Sequence, residues 1–334
     1  MTQTSTKTNR LPFAQARAPG KIILSGEQFV VLGAPSVAMA INLYSKTKAR
    51  SNLYNSVQVE VDVPTRLLSK TDPYPPDSLE FLRPLRIAAE ATLDHIGKRR
   101  QGIDVNVDCN IPIAAGLGSS ASTTVSIISA VSKSQGVDLS RKEIFKLAFV
   151  PERYLHGKPS GVDQATCIYG GTIEFTRPAS IKPIRVQTEP TLLLCDSGIH
   201  HETKTLVGSV VKKSQTNRKI FRDYLGQVRE ISQGVSKALK RGDSEDLGSL
   251  MSLNHELLRK IGVSHPKLDR LVNSAKRAGA LGAKLTGAGG GGCVVVVCPT
   301  ARSRERIAKI LRREGGTPYM ITKDTDGVES AAPS

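Results

Sequence analysis

The residues with the clearest chemical meaning form one stretch, Pro112-Ile113-Ala114-Ala115-Gly116-Leu117-Gly118-Ser119-Ser120-Ala121. Before it, residues 103–109 alternate apolar and polar as a half-buried strand does. After it, Ala121, Val125, Ile128 and Val131 recur at helical spacing. The glycines therefore lie where a loop enters a helix N-terminus. Free N–H groups and the positive end of the helix dipole favour a phosphate at such a place. Gly116 and Gly118 let an anion approach the backbone closely. Ser119 and Ser120 can cap the helix, and one hydroxyl can ligate a metal ion on the phosphates. Taken alone, the loop leaves three readings open: a phosphate cradle, a plain capped helix, and a dinucleotide fingerprint. The last is open because Gly116-x-Gly118-x-x-Ala121 fits G-x-G-x-x-G/A. A Walker A loop is excluded, since no Gly-Lys-Ser/Thr follows.

Other candidates stand apart from this loop. Lys21 follows a Pro19-Gly20 turn and is expected at the start of the first strand; taken singly, a lysine is usually a solvated cation. Glu27 lies among apolar residues and needs a partner if buried. Ser160-Gly161-Val162-Asp163 is expected to be a tight loop carrying a carboxylate. The small and apolar residues after it, through Gly170-Gly171, predict close packing around that acid. His156, beside a helix end capped by Gly157, reads as satisfying that end rather than as a base. Lys284-Leu-Thr-Gly-Ala-Gly-Gly-Gly-Gly-Cys293 holds four consecutive glycines just before an apolar run. Such a run costs backbone entropy, and its position predicts a loop that something approaches closely.

The elements that must carry these residues follow from periodicity. Strands are expected at 22–24, 29–32, 57–63, 103–109, 171–175, 191–194 and 294–297, with a short one near Met320. Helices are expected from about 79–96, from Ser140 (with Glu143 in capping-box spacing) to about 155, and over 203–240, 244–260, 266–278 and 303–313. Residues 71–77 read as a loop.

With 334 residues the chain is long enough for two domains, placed here at 14–178 and 179–325, with floppy tails at 1–13 and 326–334. The polar first ten residues do not read as a signal peptide. No apolar run reaches about 18 residues, so no membrane partner is expected. The formal net charge of +17 raises nucleic-acid binding. Aromatic residues are only 4% and tryptophan is absent, so stacking platforms are lacking. A basic surface suited to anionic substrates is the preferred reading, with no nucleic-acid partner. The five cysteines form no C-x-x-C pair and read as reduced core residues of a cytoplasmic protein.

Three motifs now stand in order: Pro19-Gly20-Lys21 through Gly26-Glu27, Pro112 through Ala121, and Lys284 through Gly292. This set resembles the GHMP kinases over nearly the whole chain. The segment Glu152, His156-Gly157, Pro159 through Asp163 and Tyr169-Gly170-Gly171 is most similar to the mevalonate kinase family within them. The resemblance implies an α+β, two-domain GHMP kinase-like fold with the active site in the interdomain cleft, a homodimer, and transfer from ATP to mevalonate with Mg²⁺. It implies that Pro112 through Ala121 wraps the ATP phosphates with Lys204 nearby, and that Ser120 and Glu152 hold Mg²⁺. By the same resemblance Asp163 is the base, and Lys21 its cationic neighbour. Glu27, Gln28, Thr203, Gly287, Ala288 and Gly289 join Lys21 and Asp163 around the alcohol. Two positions depart from the family pattern: Gln28 stands where His is common, and Gln164 where Asn is. Gln28 keeps its hydrogen bonds but carries no charge. Another GHMP kinase, acting on phosphomevalonate or on the 3-hydroxyl of mevalonate, is the nearest alternative.

Overall fold

The computed structural model describes residues 12–64, 67, 78–156, 159–199 and 203–333. The expected loop at 71–77, the Gly157 cap and the tail at 1–11 lie outside these residues.

The first sheet is built on two long strands, β1 (Ala14–Ser25) and β2 (Ser36–Asn52). With β3 (Val57–Asp62) and β4 (Gly102–Cys109) they run in the order β11-β1-β2-β4-β3, where β11 is Glu329–Ala331. The two last strands of that order, β4 and β3, are parallel, and the other neighbours antiparallel. A hairpin of β5 (Thr172–Thr176) and β6 (Ser180–Pro183) adds to the first half of β2. The first sheet thus runs past residue 178, and the segment from 326 onward is no floppy tail, because residues 329–331 pair with Gln15 to Arg17.

Helix α1 (Leu79–His95), α2 (Ser119–Ser134), α3 (Arg141–His156) and α4 (Val162–Tyr169) belong with this sheet; α2 packs directly on β1 and β2. Helix α2 is buried on every side from Ala121 to Ser132. Its small hydroxyl residues make that burial tolerable, since most of them find an acceptor in the helix itself or on the sheet beneath. Ser122 Oγ donates to the Ala18 carbonyl at 2.7 Å, and Ser129 Oγ to Val125 at 2.9 Å. Ser140 and Glu143 form the expected reciprocal cap at the start of α3.

The second sheet is wholly antiparallel, in the order β10-β7-β9-β8: β7 (Thr191–Asp196), β8 (Gly282–Thr286), β9 (Cys293–Cys298) and β10 (Thr317–Met320). Around it lie α5 (Thr203–Thr216), α6 (Arg218–Arg241), α7 (Ser244–Lys260), α8 (Pro266–Arg277) and α9 (Ala301–Arg313). The helical stretch expected at 203–240 is two helices, broken at Asn217, whose φ of −115° and ψ of 49° leave the helical region. All five cysteines are buried and free.

Two expected elements change identity. Residues Phe29–Leu32 form one 3₁₀ turn, not a strand. Gln28 and Gly33 bracket it with φ of 62° and 88°, and an apolar run of four cannot distinguish a buried turn from a strand. Asp163 lies not in a loop but in the first turn of α4, with Gly161 as N-cap.

Candidate active site

The phosphate loop ends as Gly118 turns into α2. The helix cap is Gly118 itself at φ 72°, and no side chain caps the helix. Ser119 and Ser120 are therefore the first helical residues rather than caps, which leaves both hydroxyls out of capping. The loop is anchored on β1. Strand β11 covers only Gln15 to Arg17, and beyond it other partners take up β1's backbone groups. Lys21 N donates to the Leu117 carbonyl at 2.9 Å, and Ile23 N to Thr286 Oγ1 at 2.8 Å. One strand edge therefore meets the phosphate loop and the second sheet in turn.

Lys21 is in the middle of β1, not at its start, and is only 2% exposed. Its stem runs under Gly118, where a Cβ would come within 2.9 Å of Lys21 Cγ. Its Nζ donates to the Gly116 carbonyl at 3.1 Å and lies 3.0 Å from Asp163 Oδ1. The Asp163 side chain stays 34% exposed. A buried cation thus holds a carboxylate that can still be reached from outside.

Glu152, on α3, is 6% exposed. Burial first, and then the neighbouring Asp163 carboxylate, push its carboxyl up to about 8, with Lys21 opposing. Two carboxyl groups close enough to repel, one of them desolvated, form a place where a hard cation would be stabilised. Among the described residues no group of three His, Cys, Asp or Glu can hold a metal. Oxygen donors from Ser120 and Glu152 fit Mg²⁺ all the same, because that ion takes one or two carboxylates together with substrate phosphates.

The glycine-rich loop between β8 and β9 is approached by backbone. A Cβ on Gly287 would lie 2.6 Å from Gly116 Cα, and one on Gly292 2.7 Å from the Ala115 carbonyl oxygen. The N–H groups of Gly290 and Gly292 already donate to Val263 at 2.7 Å and to Ile199 at 2.5 Å. The loop's glycines therefore serve close packing against the phosphate loop and its surroundings, and these two donors are spent.

Glu27 turns away from the cleft. It is 1% exposed, pairs with Lys284 Nζ, and accepts from Asn254 Nδ2 at 2.9 Å. Gln28, 5% exposed, donates through Nε2 to the Ala288 carbonyl at 2.6 Å. Thr203 and Lys204 open α5, and their side chains lie outside the described residues. Asn254 was not legible as a member of this neighbourhood, and although Lys284 and Thr286 belong to the third motif, their contacts with Glu27 and Ile23 were not legible. The one available signal was that Glu27, if buried, needed a partner.

Residues 83–171 match the GHMP kinases N terminal domain, and residues 235–317 the GHMP kinases C terminal. Fold and site together define the class, a two-domain kinase of the GHMP type. The mevalonate kinase of Pyrococcus horikoshii is 36% identical over 330 residues, covering 95% of this chain and 97% of that protein. That of Methanocaldococcus jannaschii is 34% identical over 307 residues, with 89% and 95% covered. The crystal structure of L. major mevalonate kinase in complex with R-mevalonate superposes with a TM-score of 0.77 at 29% identity, covering 99% of this chain and 98% of that one. The chain belongs to the mevalonate kinase family.

Proposed function

We propose that the chain transfers the γ-phosphoryl group of ATP to the 5-hydroxyl of (R)-mevalonate, giving 5-phosphomevalonate and ADP for isoprenoid synthesis. The observation that carries this reading is the Lys21–Asp163 pair, 3.0 Å apart beside the phosphate loop. Phosphoryl transfer asks the protein mainly for positioning and charge stabilisation. Residues 112–121 cradle the phosphates with backbone N–H groups at the start of α2, and Lys204 is assigned to the phosphates by the family resemblance alone. Asp163 accepts the hydroxyl proton as the alcohol oxygen attacks the γ-phosphorus. Lys21 holds that carboxylate in place, its Nζ 3.0 Å from Asp163 Oδ1. Glu152 and Ser120 would hold Mg²⁺, which would offset the phosphate charge. Gln28 and the 287–289 backbone line the alcohol side, Thr203 is assigned there by the family resemblance alone, and Glu27 acts from behind Gln28. Lys21 and Asp163 together favour the 5-hydroxyl over the 3-hydroxyl. A cytoplasmic homodimer is the assembly this reading carries with it.

The test is a coupled ADP-release assay with Mg-ATP and a panel of mevalonate, phosphomevalonate, homoserine and galactose, with phosphorus NMR of the product. Turnover of mevalonate to a primary phosphate ester supports the proposal. Turnover of another alcohol alone moves the substrate and keeps the catalytic pair.

A further inference from the structure

Glu27 and Lys284 form a fully buried ion pair that ties the second sheet to the turn following β1 of the first. Lys284 lies on β8, the edge strand of the second sheet; Glu27 follows β1 of the first. Around them the polar groups are nearly all used. Lys284 Nζ also donates to the carbonyls of Ile23 at 3.2 Å and Leu285 at 2.6 Å. Asn254, from α7, donates to Glu27 Oε2 and accepts from Gly26 N at 3.4 Å. Thr286 Oγ1 takes the Ile23 N–H. Gly26 is locked as well, at φ +91°, where a Cβ would lie 2.4 Å from the Pro35 carbonyl oxygen.

Burying two charges is costly. A well-packed apolar pair of similar volume is often as stable or more so. Stability alone therefore gives no reason for this pair. The residue that follows it supplies one. Gln28 is not a glycine, yet has φ of 62° and ψ of −41°, a strained backbone that persists only where its surroundings over-determine it. Its Nε2 bonds Ala288 in the glycine-rich loop, while its Oε1 is buried with no hydrogen-bond partner. The glycine-rich loop in turn packs on Gly116 of the phosphate loop. Position is thus handed from Glu27 to Gln28, then to Ala288, then to the phosphate loop.

We propose that Glu27 and Lys284 are a positioning pair that touches neither substrate: by clamping the 26–28 turn to the second sheet, they hold strained Gln28 against the glycine-rich loop and so set the alcohol side of the cleft. The inference rests on the reading of the Lys21–Asp163 cleft as the alcohol-kinase site. Burial drives Glu27 toward its acid form and Lys284 toward its free base, and each opposes the other's neutralisation. The charge of Lys21 also acts on Lys284, so the clamp and the catalytic lysine lie within electrostatic reach.

The test uses the full chain and the double variant Glu27→Gln/Lys284→Met, which removes both charges and leaves neither buried alone. Asn254→Ala is a milder second variant, should the double variant fail to fold. The expected result is a KM for mevalonate raised about tenfold or more, with the KM for ATP within about twofold, in protein that unfolds cooperatively near the wild-type temperature. Hydrogen exchange without substrate gives a readout independent of which alcohol is accepted. Amides of residues 287–292 are expected to exchange about tenfold faster in the variant, while those of β9 stay as in the wild type. A wild type inactive on mevalonate overturns the substrate assignment, and the exchange data then decide the clamp. Unchanged loop exchange, or equal rises in both KM values, overturns the clamp.

Discussion

Lys21 and Asp163 differ more in their surroundings than in their separation. The lysine is sealed under Gly118, while the carboxylate remains one-third exposed at the start of α4. Only the aspartate can meet a hydroxyl, so loss of its basicity is the sharper test. Asp163→Asn is expected to keep the circular dichroism and unfolding temperature close to wild type and to lower kcat by at least about a hundredfold. A near-wild-type rate would remove Asp163 from proton transfer. His255 offers a different test. It lies behind the site on α7, with Nδ1 accepting from Leu285 N at 3.4 Å and Nε2 3.3 Å from Asp269 Oδ1. Burial lowers it from 6.5 to about 4, against the pull of Asp269. The folded state therefore binds this proton less readily than the unfolded state. Its stabilisation is present above about pH 6.5 and is lost as pH falls toward 4. Urea unfolding should show about 2 kcal/mol lost between pH 7 and 5 through this group. The loss should be absent in His255→Gln, and an equal slope in both proteins would refute it.

At the scale of elements, the two glycine-bearing loops behave as one packed unit. Gly287→Ala would place a methyl 2.6 Å from Gly116 Cα, at a φ of +87° that L side chains rarely adopt. Backbone cannot yield there as a side-chain tip can. The variant is expected to lose at least about 2 kcal/mol of stability and to bind ATP more weakly, read by urea unfolding and nucleotide titration. Gly226, inside α6, is the control: nothing lies within 4 Å of its built Cβ. Gly226→Ala should raise stability by up to about 1 kcal/mol through helix propensity alone. If the two substitutions behave alike, the close-packing account of the loop is wrong. Periodicity showed most elements well, since 103–109, 244–260 and 266–278 all fall within a residue or so of the observed β4, α7 and α8. It misread 29–32 and the break at Asn217, where backbone dihedrals rather than apolar spacing decide the outcome.

In the whole molecule, the chain crosses from the second sheet back to the first. After β10, Asp324 N donates to Ala40 at 3.0 Å, and the Asp324 carbonyl accepts from Gly171 N at 2.7 Å. The Asp324 carboxylate accepts from Tyr44 Oη at 2.9 Å and from Gly327 N at 2.8 Å. This strap then ends in β11 on the edge of β1. A chain ending at Thr322 is expected to unfold at least about 4 °C lower by calorimetry, because several buried polar groups of the first sheet lose their partners. An unchanged melting temperature would show the strap to be ornamental to stability.

The roles of Lys21, Glu152 and Asp163 came only as what the resemblance to the family implies. The sequence by itself determined the family, through its ordered motifs, and a glycine-bearing loop that enters a helix N-terminus. These are encoded by residue type at short spacing, which local chemistry interprets. Tertiary structure alone decided which partners met. Lys21 and Asp163 are 142 positions apart and Glu27 and Lys284 are 257 apart, so no periodicity relates them. Whether a charged residue faces the cleft or the core depends on the packing of two sheets. That packing put Asp163 at the opening, turned Glu27 inward to Lys284, and spent the glycine run on the contact between the two loops.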